Sequence, residues 1–315
     1  MNVLITSLGS NTSIGVIKAL KFEFPLVKII GTDTNNQAEC NGIAFCDKFY
    51  KICRSTEEDF IHELLRIIKF EDIHCIIPIH DKEIEIISNY LELIVPYTKI
   101  ALNNSRINEI CNNKLKCSAF IEDICISPTY YGLDNVQLPA ILKEINGIGS
   151  VNIQKIDSRH NLPLKVEDDF VLQEYISGKE YTVDCFSSYF NEAFKCVVRV
   201  RNEIKSGMST KGTIISHPKI EELCMEIISK LNYKGVANIQ FIENENDIYF
   251  IELNPRFAGG GILTYLNGFN IPAITIKELV LNDAFDIKRD FNPKIGTKMV
   301  RYFEETFINS NGYNL

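Results

Sequence analysis

Short apolar runs alternate with amphipathic segments along the first part of the chain. Residues 3–8 and 27–33 are apolar runs of strand length, whereas residues 14–22 and 59–70 carry apolar positions at helical spacing. Strands and helices that alternate at these lengths are typical of a parallel sheet with helices on both faces. The pattern therefore predicts an α/β lobe at the N-terminus.

The pattern changes after residue 112. A helix-like segment and three short strand-like segments follow, and from residue 176 the strands become longer and are joined by short polar turns. We expect an α/β fold, α+β overall, with three parts. These are a Rossmann-like lobe over residues 1–112, a small α+β lid over residues 113–175 and an antiparallel C-terminal lobe over residues 176–315.

Composition narrows the choice of partners and compartment. The 315 residues include 33 basic and 41 acidic side chains, and the net charge of −8 disfavours nucleic acid and anionic membranes as partners. Ten cysteines form no C-x-x-C pair, which is typical of reduced thiols packed in a core. The N-terminus has no signal-peptide pattern and no apolar run is long enough to span a bilayer, so we expect a cytoplasmic protein.

A polar cluster interrupts the apolar stretch YFIELNPRFAGGG at residues 249–261. Strand alternation puts Glu252 and Asn254 on one face, and a buried carboxylate needs a partner. Gln240 on the preceding strand adds a third oxygen donor, the ligand type that Mg²⁺ accepts when phosphates and water complete its shell. The alternative is a hydrogen-bond cluster that only stabilises a hairpin.

The convergence of these three residues depends on the register of the hairpin. With Ile242 opposite Ile248, the sequence predicts that Asn238 faces Glu252. Even-numbered positions then share a face, which brings Gln240 to the same side. A register shifted by one residue would separate the candidate ligands.

The residues after the strand favour a ligand site over a structural cluster. Pro255 ends the ladder, and Arg256 then presents a permanently charged fork that suits phosphate oxygens. Glycines 259–261 let the backbone approach a ligand closely. Together these features predict a site for a metal and phosphates.

The segment ANIQF at residues 237–241, followed by IELNPRFAGGG, resembles the terminal signature of the ATP-grasp superfamily. The pattern of Gln, Glu, Asn and Arg is similar to the synthetase units of carbamoyl-phosphate synthetase large chains and to the related carboxylate-amine ligases. The likeness extends along nearly the whole chain. It implies ATP as a substrate and Mg²⁺, or Mn²⁺, bound by Gln240, Glu252 and Asn254.

The resemblance also implies where ATP lies. Two lysines match the family's phosphate contacts, the NGIGS turn is similar to its glycine-rich flap, and QEYISGKE matches the hinge that holds adenine and ribose. The backbone of the hinge and a glutamate at its start would meet adenine, and a second glutamate the ribose. The implied contacts are Lys114, Lys143, Gly147, Gly149, Ser150, Glu174, Tyr175, Ile176 and Glu180.

Two features depart from the family pattern. Glu144 follows the strand lysine where the family usually has proline, and the flap is short. A carboxylate beside phosphates repels them. Lys116, two residues after Lys114, is an alternative to it as the phosphate ligand.

Several candidates lie outside the signature. Arg199 and Arg201 share a strand face, and related ligases place an arginine in a similar strand. Arg201 is therefore, with Arg256, a candidate catalytic residue. The alternative is that this strand face is simply exposed to solvent. Asp81 ends a predicted parallel strand, where open α/β sheets bind ligands, or else caps a helix. Asp33 reads as a turn residue rather than a ribose ligand, since no complete dinucleotide motif precedes it.

The resemblance implies an ATP-grasp carboxylate-amine ligase. Such an enzyme converts a small carboxylate into an acyl phosphate and then joins it to an amine. Its partners would be these small molecules. Whether the chain forms a homodimer is left open by the sequence. Phosphorylation of carbamate or bicarbonate is one alternative, and a nucleotide-binding regulatory module without turnover is another.

Overall fold

Three sheets with their covering helices form the described part of the chain. The computed structural model describes residues 1–147, 152–205, 207–302, 304–305 and 307. A parallel sheet comes first along the chain, and two antiparallel sheets follow. The predicted mixed α/β class is confirmed.

The N-terminal sheet is parallel throughout, and helical crossovers connect its strands, one of them made of 3-10 turns alone. Its strands are β1 (Asn2–Ile5), β2 (Lys28–Asp33), β3 (Lys48–Lys51), β4 (Cys75–Ile77) and β5 (Lys99–Ile100), in the order β3-β2-β1-β4-β5. The helices here are α1 (Asn11–Glu23), α2 (Phe60–Phe70), α3 (Asp81–Asn89), α4 (Leu91–Ile94) and α5 (Ser105–Asn112), with 3-10 turns at Gln37–Glu39 and Asn41–Phe45. The interior strand β4 is buried throughout, as expected for a sheet covered on both faces.

A small antiparallel sheet follows in the middle of the chain. It contains β6 (Tyr130–Tyr131), β7 (Ala140–Glu144), β8 (Gln154–Ile156) and β9 (Phe170–Glu174), in the order β6-β9-β7-β8. Helix α6 (Lys114–Phe120) precedes it, and a 3-10 turn spans Arg159–Asn161. Its core of buried residues is Val136, Ala140, Ile156 and Leu172. Because this core is small, it supplies little hydrophobic stabilisation, and this sheet is the least firmly packed of the three.

The C-terminal sheet is antiparallel throughout. Its strands are β10 (Lys179–Ser187), β11 (Phe194–Lys205), β12 (Met208–Ile215), β13 (Gly235–Glu243), β14 (Ile248–Asn254) and β15 (Lys298–Val300), in the order β14-β13-β10-β11-β12-β15. The helices are α7 (Pro218–Lys230), α8 (Ile262–Tyr265), α9 (Ile271–Leu281) and α10 (Ile287–Asp290). Among the described residues, no helix is both long and apolar enough to cross a bilayer.

Both faces of the C-terminal sheet are packed. One face forms a core with α7, to which Val183, Ile227 and Ile239 belong. The other face shares a core with the N-terminal lobe, in which Val16 and Phe186 take part. The N-terminal and C-terminal lobes are therefore joined by continuous apolar packing.

The hairpin of β13 and β14 closes one position beyond the predicted one. Glu243, not Ile242, lies opposite Ile248. Asn238 faces Asn254, so the prediction that it faces Glu252 is wrong.

A β-bulge in β14 restores the alignment on which the candidate site depends. Ile251 is the extra residue, because Gln240 pairs with Glu252 while its neighbour Phe241 pairs with Phe250. The changed position of the hairpin turn alone would have shifted the pairing by one residue from the predicted register, and the candidate ligands would then point to opposite faces. The bulge shifts it by one more, so even-numbered positions face each other again.

Candidate active site

A cavity of about 500 Å³ is lined by strands of both antiparallel sheets and by residues that follow strands of the N-terminal sheet. A second cavity of about 470 Å³ adjoins it, and Asn254 lines that one. The predicted site residues that line the larger cavity are Lys114, Lys143, Gly147, Glu174, Tyr175, Ile176, Glu180, Arg201, Gln240, Glu252 and Arg256. Residues that are far apart in the sequence are thus brought together at one place.

The three predicted metal ligands are in direct contact. Gln240 Nε2 and Asn254 Nδ2 both donate to Glu252 Oε1, at 2.7 and 2.9 Å. Their amide oxygens accept from arginines: Gln240 Oε1 from Arg201 Nη1 at 3.1 Å, and Asn254 Oδ1 from Arg256 Nη2 at 3.0 Å. One carboxylate with two amides fits a partial Mg²⁺ shell, provided that the amides rotate to turn their oxygens toward the ion.

Glu252 is surrounded by positive charge. Burial raises the pKa of its carboxyl, but the Lys114 charge, a hydrogen bond from Asn254 and the charges of Lys143 and Arg256 together lower it below the ordinary value. The carboxylate is therefore ionised at neutral pH, which is the form that binds a metal. Three cations around one carboxylate leave an excess of positive charge, and this suits a polyphosphate.

Lys114 and Lys116 on α6 have different environments. Lys114 is 8% exposed, and its Nζ donates to Gly147 O at 2.8 Å. The Lys116 side chain is 53% exposed and forms an ion pair with Glu109 on α5. Of these two alternatives, Lys114 lines the larger cavity, whereas Lys116 lines only the adjoining one.

Lys143 is a buried amine that lines the larger cavity. It is 5% exposed, and among the described residues its Nζ has no hydrogen-bond or ion-pair partner. Burial and the nearby Lys114 charge lower the pKa of the amine to about 8, although Glu252 acts in the opposite direction. A buried, partly charged amine in a cavity is typical of a group that meets an anionic ligand.

The flap is described only at its ends, and Gly149 and Ser150 lie outside the described residues. Glu144 Oε1 accepts from Asn152 Nδ2 at 2.6 Å, and Gly147 N donates to Glu144 O at 3.4 Å. The carboxylate that departs from the family pattern thus connects the two ends of the flap. Because Asn152 is a neutral donor, the negative charge of Glu144 is not cancelled there.

The hinge uses part of its hydrogen-bonding capacity within the protein. Glu174 Oε2 accepts from Thr129 N at 3.1 Å, and Tyr175 N donates to Pro139 O at 3.3 Å. Adenine in this cavity would therefore compete for the Glu174 carboxylate and the Tyr175 N–H. The Tyr175 carbonyl and the Ile176 backbone are the hinge groups better suited to bind it.

Arg201 connects the predicted ribose contact to the predicted metal site. Its Nη1 lies 3.1 Å from both Glu180 Oε2 and Gln240 Oε1, and its other nitrogens bind Gly207 O at 2.7 Å and Ser209 Oγ at 3.2 Å. Its side chain is only 10% exposed. The Arg201 side chain is therefore not simply exposed to solvent, which was the alternative for this strand face.

Arg199 is buried, and its guanidinium group is paired within the protein. It is 1% exposed, and its Nε and Nη2 bind the two carboxylate oxygens of Asp184 at 2.7 and 2.9 Å. Asp184 also accepts from Thr264 Oγ1 at 2.5 Å and from Asn238 Nδ2 at 3.3 Å. This network ties β10, β11, β13 and α8 together at the wall of the larger cavity.

Asp81 does not cap α3, so the simpler interpretation of this residue is wrong. His80 is the N-cap, and its ring accepts from Lys82 N at 3.2 Å. Both Asp81 oxygens lie 3.0 Å from Arg256 Nε. The candidate catalytic arginine is therefore held by the N-terminal lobe across 175 residues of sequence.

Asp33 has the structural role that its position suggests. Its carboxylate accepts from Gly9 N at 2.8 Å and Asn35 N at 2.9 Å. Both contacts stabilise turns at the ends of strands, as the turn interpretation predicts.

The far end of the larger cavity lies beside the first strand of the parallel sheet. Ser7, Ser10 and Thr12 line it where β1 leads into α1, and Gly259 and Gly260 lie in the same wall. Ser10 caps α1, whose N-terminus favours negative charge. The position after the first strand of a parallel sheet was the signal available, because open α/β sheets bind ligands there.

The parallel lobe, the small lid sheet and the antiparallel lobe around one cavity define an ATP-grasp fold. Two solved structures share it. The biotin carboxylase–β,γ-ATP complex from Campylobacter jejuni has a TM-score of 0.73 at 14% identity, covering 94% of this chain and 74% of that one. The L-amino acid ligase from Bacillus licheniformis has a TM-score of 0.70 at 14% identity, covering 93% and 77%.

Sequence-family models agree with the fold. Residues 166–302 match the family described as ATP-grasp in the biosynthetic pathway with Ter operon, and residues 3–95 match the PylC-like N-terminal domain. The chain is therefore similar to an ATP-grasp family over residues 166–302 and to PylC-like proteins over residues 3–95.

A curated relative extends the likeness to carbamoyl phosphate synthesis. The arginine-specific large chain of carbamoyl phosphate synthase from Bacillus subtilis is 24% identical over 173 residues, which are 50% of this chain and 16% of that protein. The chain spans less than half the length of the curated relatives it matches. Their complete activities therefore do not transfer to it directly.

Proposed function

We propose that this protein is an ATP- and Mg²⁺-dependent ligase that activates a small carboxylate as an acyl phosphate and couples it to an amine. The observation that carries the proposal is that one cavity is lined by the hinge, by Lys114 and Lys143, and by Glu252. The serines and the threonine where β1 leads into α1 line the same cavity. These parts correspond to the groups that the reaction must hold together: base, phosphates, metal and acceptor.

The first step transfers the γ-phosphoryl group. A carboxylate oxygen of the acceptor attacks the γ-phosphorus, the bond to the β-phosphate oxygen breaks, and ADP leaves. Lys114 and Lys143 are proposed to bind the phosphates, and Arg256, fixed by Asp81, the transferred group. Mg²⁺ held by Gln240, Glu252 and Asn254 would neutralise phosphate charge during the transfer.

The second step forms the amide. The amine nitrogen attacks the carbonyl carbon of the acyl phosphate, phosphate leaves with the C–O bond electrons, and the nitrogen loses a proton. Both steps depend on alignment and charge neutralisation. The buried arginines and lysines of the cavity provide charge that is already oriented, so little reorganisation is needed.

Phosphorylation of carbamate or bicarbonate is the second candidate. The sequence match to a carbamoyl phosphate synthase favours it, and its first step would use the same residues. It differs in the acceptor, which carries no side chain to fill the far end of the cavity.

Hydroxylamine trapping separates these candidates. The protein is incubated with Mg-ATP, hydroxylamine and pools of amino acids, hydroxy acids or sugar acids, and both ADP and hydroxamate are measured. We expect ADP and hydroxamate together in an amino-acid or similar small-carboxylate pool, and neither with Glu252→Gln. ADP without hydroxamate would favour the carbamate reaction, and ATP binding with no ADP in any pool would favour a regulatory module.

A further inference from the structure

The carboxyl ends of β1 and β4 form a crevice in the wall of the larger cavity. The strand order β3-β2-β1-β4-β5 changes direction between these two strands, because β2 and β3 lie on one side of β1 and the later strands lie on the other. Open α/β sheets bind ligands at such a switch point. Ser7 follows β1, Ile79 and His80 follow β4, and all three line the cavity. We call the space beside these three residues the switch-point crevice.

Glu83 on α3 contacts two residues of the crevice, and its negative charge has no cationic partner. Its Oε2 accepts from Thr6 Oγ1 at 2.6 Å, from Ser7 Oγ at 2.9 Å and from His80 N at 3.3 Å. In the described part of the chain, no hydrogen bond reaches Glu83 Oε1, and no lysine or arginine forms an ion pair with this carboxylate. Glu83 is 7% exposed, and a buried carboxylate without a cation is costly.

The environment of Glu83 favours a cation in the crevice. Burial raises the pKa of its carboxyl above the ordinary value, although the three hydrogen bonds act in the opposite direction. A cation nearby would stabilise the carboxylate and lower this pKa again. The buried carboxylates Asp81 and Asp184 differ from Glu83, because each is already paired with an arginine.

Ser7 connects this carboxylate to the cavity. Its hydroxyl donates its hydrogen to Glu83, so the oxygen lone pairs are left for a ligand, and no donor among the described residues contacts them. Thr6 has less capacity left, because its Oγ1 also accepts from Ile79 N at 3.1 Å. Ser7 has a φ of 46°, a left-handed conformation that is uncommon for residues other than glycine and is concentrated at functional sites. The crevice therefore presents a hydrogen-bond acceptor backed by a carboxylate.

An acceptor of this kind selects a ligand that carries hydrogen-bond donors and positive charge. Building on the proposed function, we propose that the switch-point crevice binds the amine substrate in its protonated form, with the ammonium group donating to Ser7 Oγ and attracted by the charge of Glu83. Before the nitrogen attacks, one of its protons passes to Ser7 Oγ while the hydroxyl hydrogen moves to Glu83. A neutral amine and a neutral carboxyl result.

The position of the crevice suits the second step of the reaction. The backbone of His80 binds Glu83, and the next residue in the chain is Asp81. Asp81 fixes Arg256, which is proposed to bind the transferred phosphoryl group. The crevice and Arg256 line the same cavity, so an amine bound at Ser7 lies on the side from which the acyl phosphate is accessible.

Glu83 also completes the capping box of α3, and this structural role alone is the alternative. Glu83→Gln separates the two roles, because glutamine also serves in a capping box but carries no charge. The matched control is Glu85→Gln, which removes an exposed charge from the same helix.

Two kinds of nucleophile are compared on the same acyl phosphate. Hydroxylamine is uncharged at neutral pH, whereas amino acids, ethanolamine and short diamines carry protonated amines there. The carboxylate is the pool that gives hydroxamate with the wild type. Values of kcat/KM for hydroxamate and for amide formation are measured with each protein, together with the affinity for ATP.

We expect Glu83→Gln to lower kcat/KM for the protonated amine by about tenfold or more and to leave hydroxamate formation and ATP affinity within about twofold of the wild type. Glu85→Gln should change neither reaction. Ser7→Ala should reproduce the selective loss, and it is read instead if Glu83→Gln does not fold.

Three results would overturn this inference while the proposed function stands. They are equal losses with both kinds of nucleophile, no loss with either, and a wild type that forms hydroxamate but couples no protonated amine. A wild type that forms neither ADP nor hydroxamate in any pool would overturn the proposed function, and this inference with it.

Discussion

Lys143 should take up a proton when ATP binds. Its pKa is about 8 in the protein without ligand, against an ordinary 10.5, because the amine is buried beside Lys114. Polyphosphate at this place would supply the missing negative charge and raise the pKa by about 2.5 units toward the ordinary value. At pH 8 the amine is about half protonated before binding and fully protonated after it, so about 0.5 proton is taken up per ATP.

The same shift makes the affinity for ATP depend on pH. Below about pH 8 the amine is charged in both states, and this group adds no pH dependence. Above it, binding must first charge the amine, so Kd should rise by about tenfold per pH unit until about pH 10. Without ATP, a lysine with a lowered pKa opposes folding below about pH 8, by about 3 kcal/mol, and this cost disappears as the pH rises toward 10.5.

Calorimetry in two buffers with different ionisation enthalpies measures the proton uptake at pH 8 and saturating Mg²⁺. The control is Lys143→Arg, which keeps a cation that does not titrate in this range. Wild type should take up about half a proton more than this variant. If the two proteins take up the same number of protons, Lys143 does not meet the phosphates and its assignment is wrong.

Three substitutions test other parts of the account. Glu252→Gln should lower turnover by orders of magnitude in an ATPase assay, and an active variant contradicts the metal assignment. Asp81→Asn should destabilise the protein by about 3 kcal/mol in urea unfolding, because Arg256 loses its partner, and a cost no larger than that of exposed Glu85→Gln refutes this. Gly260→Ala should cost about 1–3 kcal/mol, because its Cβ would lie 2.6 Å from Arg199 Nη1, which a bidentate ion pair holds in place; an unchanged melting temperature argues against it.

Local sequence patterns predicted several of the helices and strands of the fold. Apolar runs predicted β1 and β2, and helical spacing predicted α1 and α2, since each pattern lies within one element. The hairpin register was not readable, because it depends on a bulge at Ile251 that no residue type specifies. Glycine or proline at that place would have been a signal.

Pairings between distant residues were the other limit. Arg199 and Arg201 look alike in the sequence, yet one is neutralised by Asp184 and the other links Glu180 to Gln240. The partner of Arg256 lies in a different lobe, 175 residues away. Strand alternation gives the face of a residue but not what packs against it, so the roles of these arginines required the tertiary structure.

The transfer of a carboxylate oxygen to phosphate tests the central claim most directly. The carboxylate pool that supports ADP formation is prepared with ¹⁸O in both carboxylate oxygens, and the released phosphate is analysed by mass spectrometry. If an acyl phosphate forms and the amine then displaces phosphate, one ¹⁸O atom appears in phosphate for each ADP produced, and Glu252→Gln produces neither. Phosphate that carries no ¹⁸O while ADP and amide accumulate would contradict the acyl phosphate mechanism.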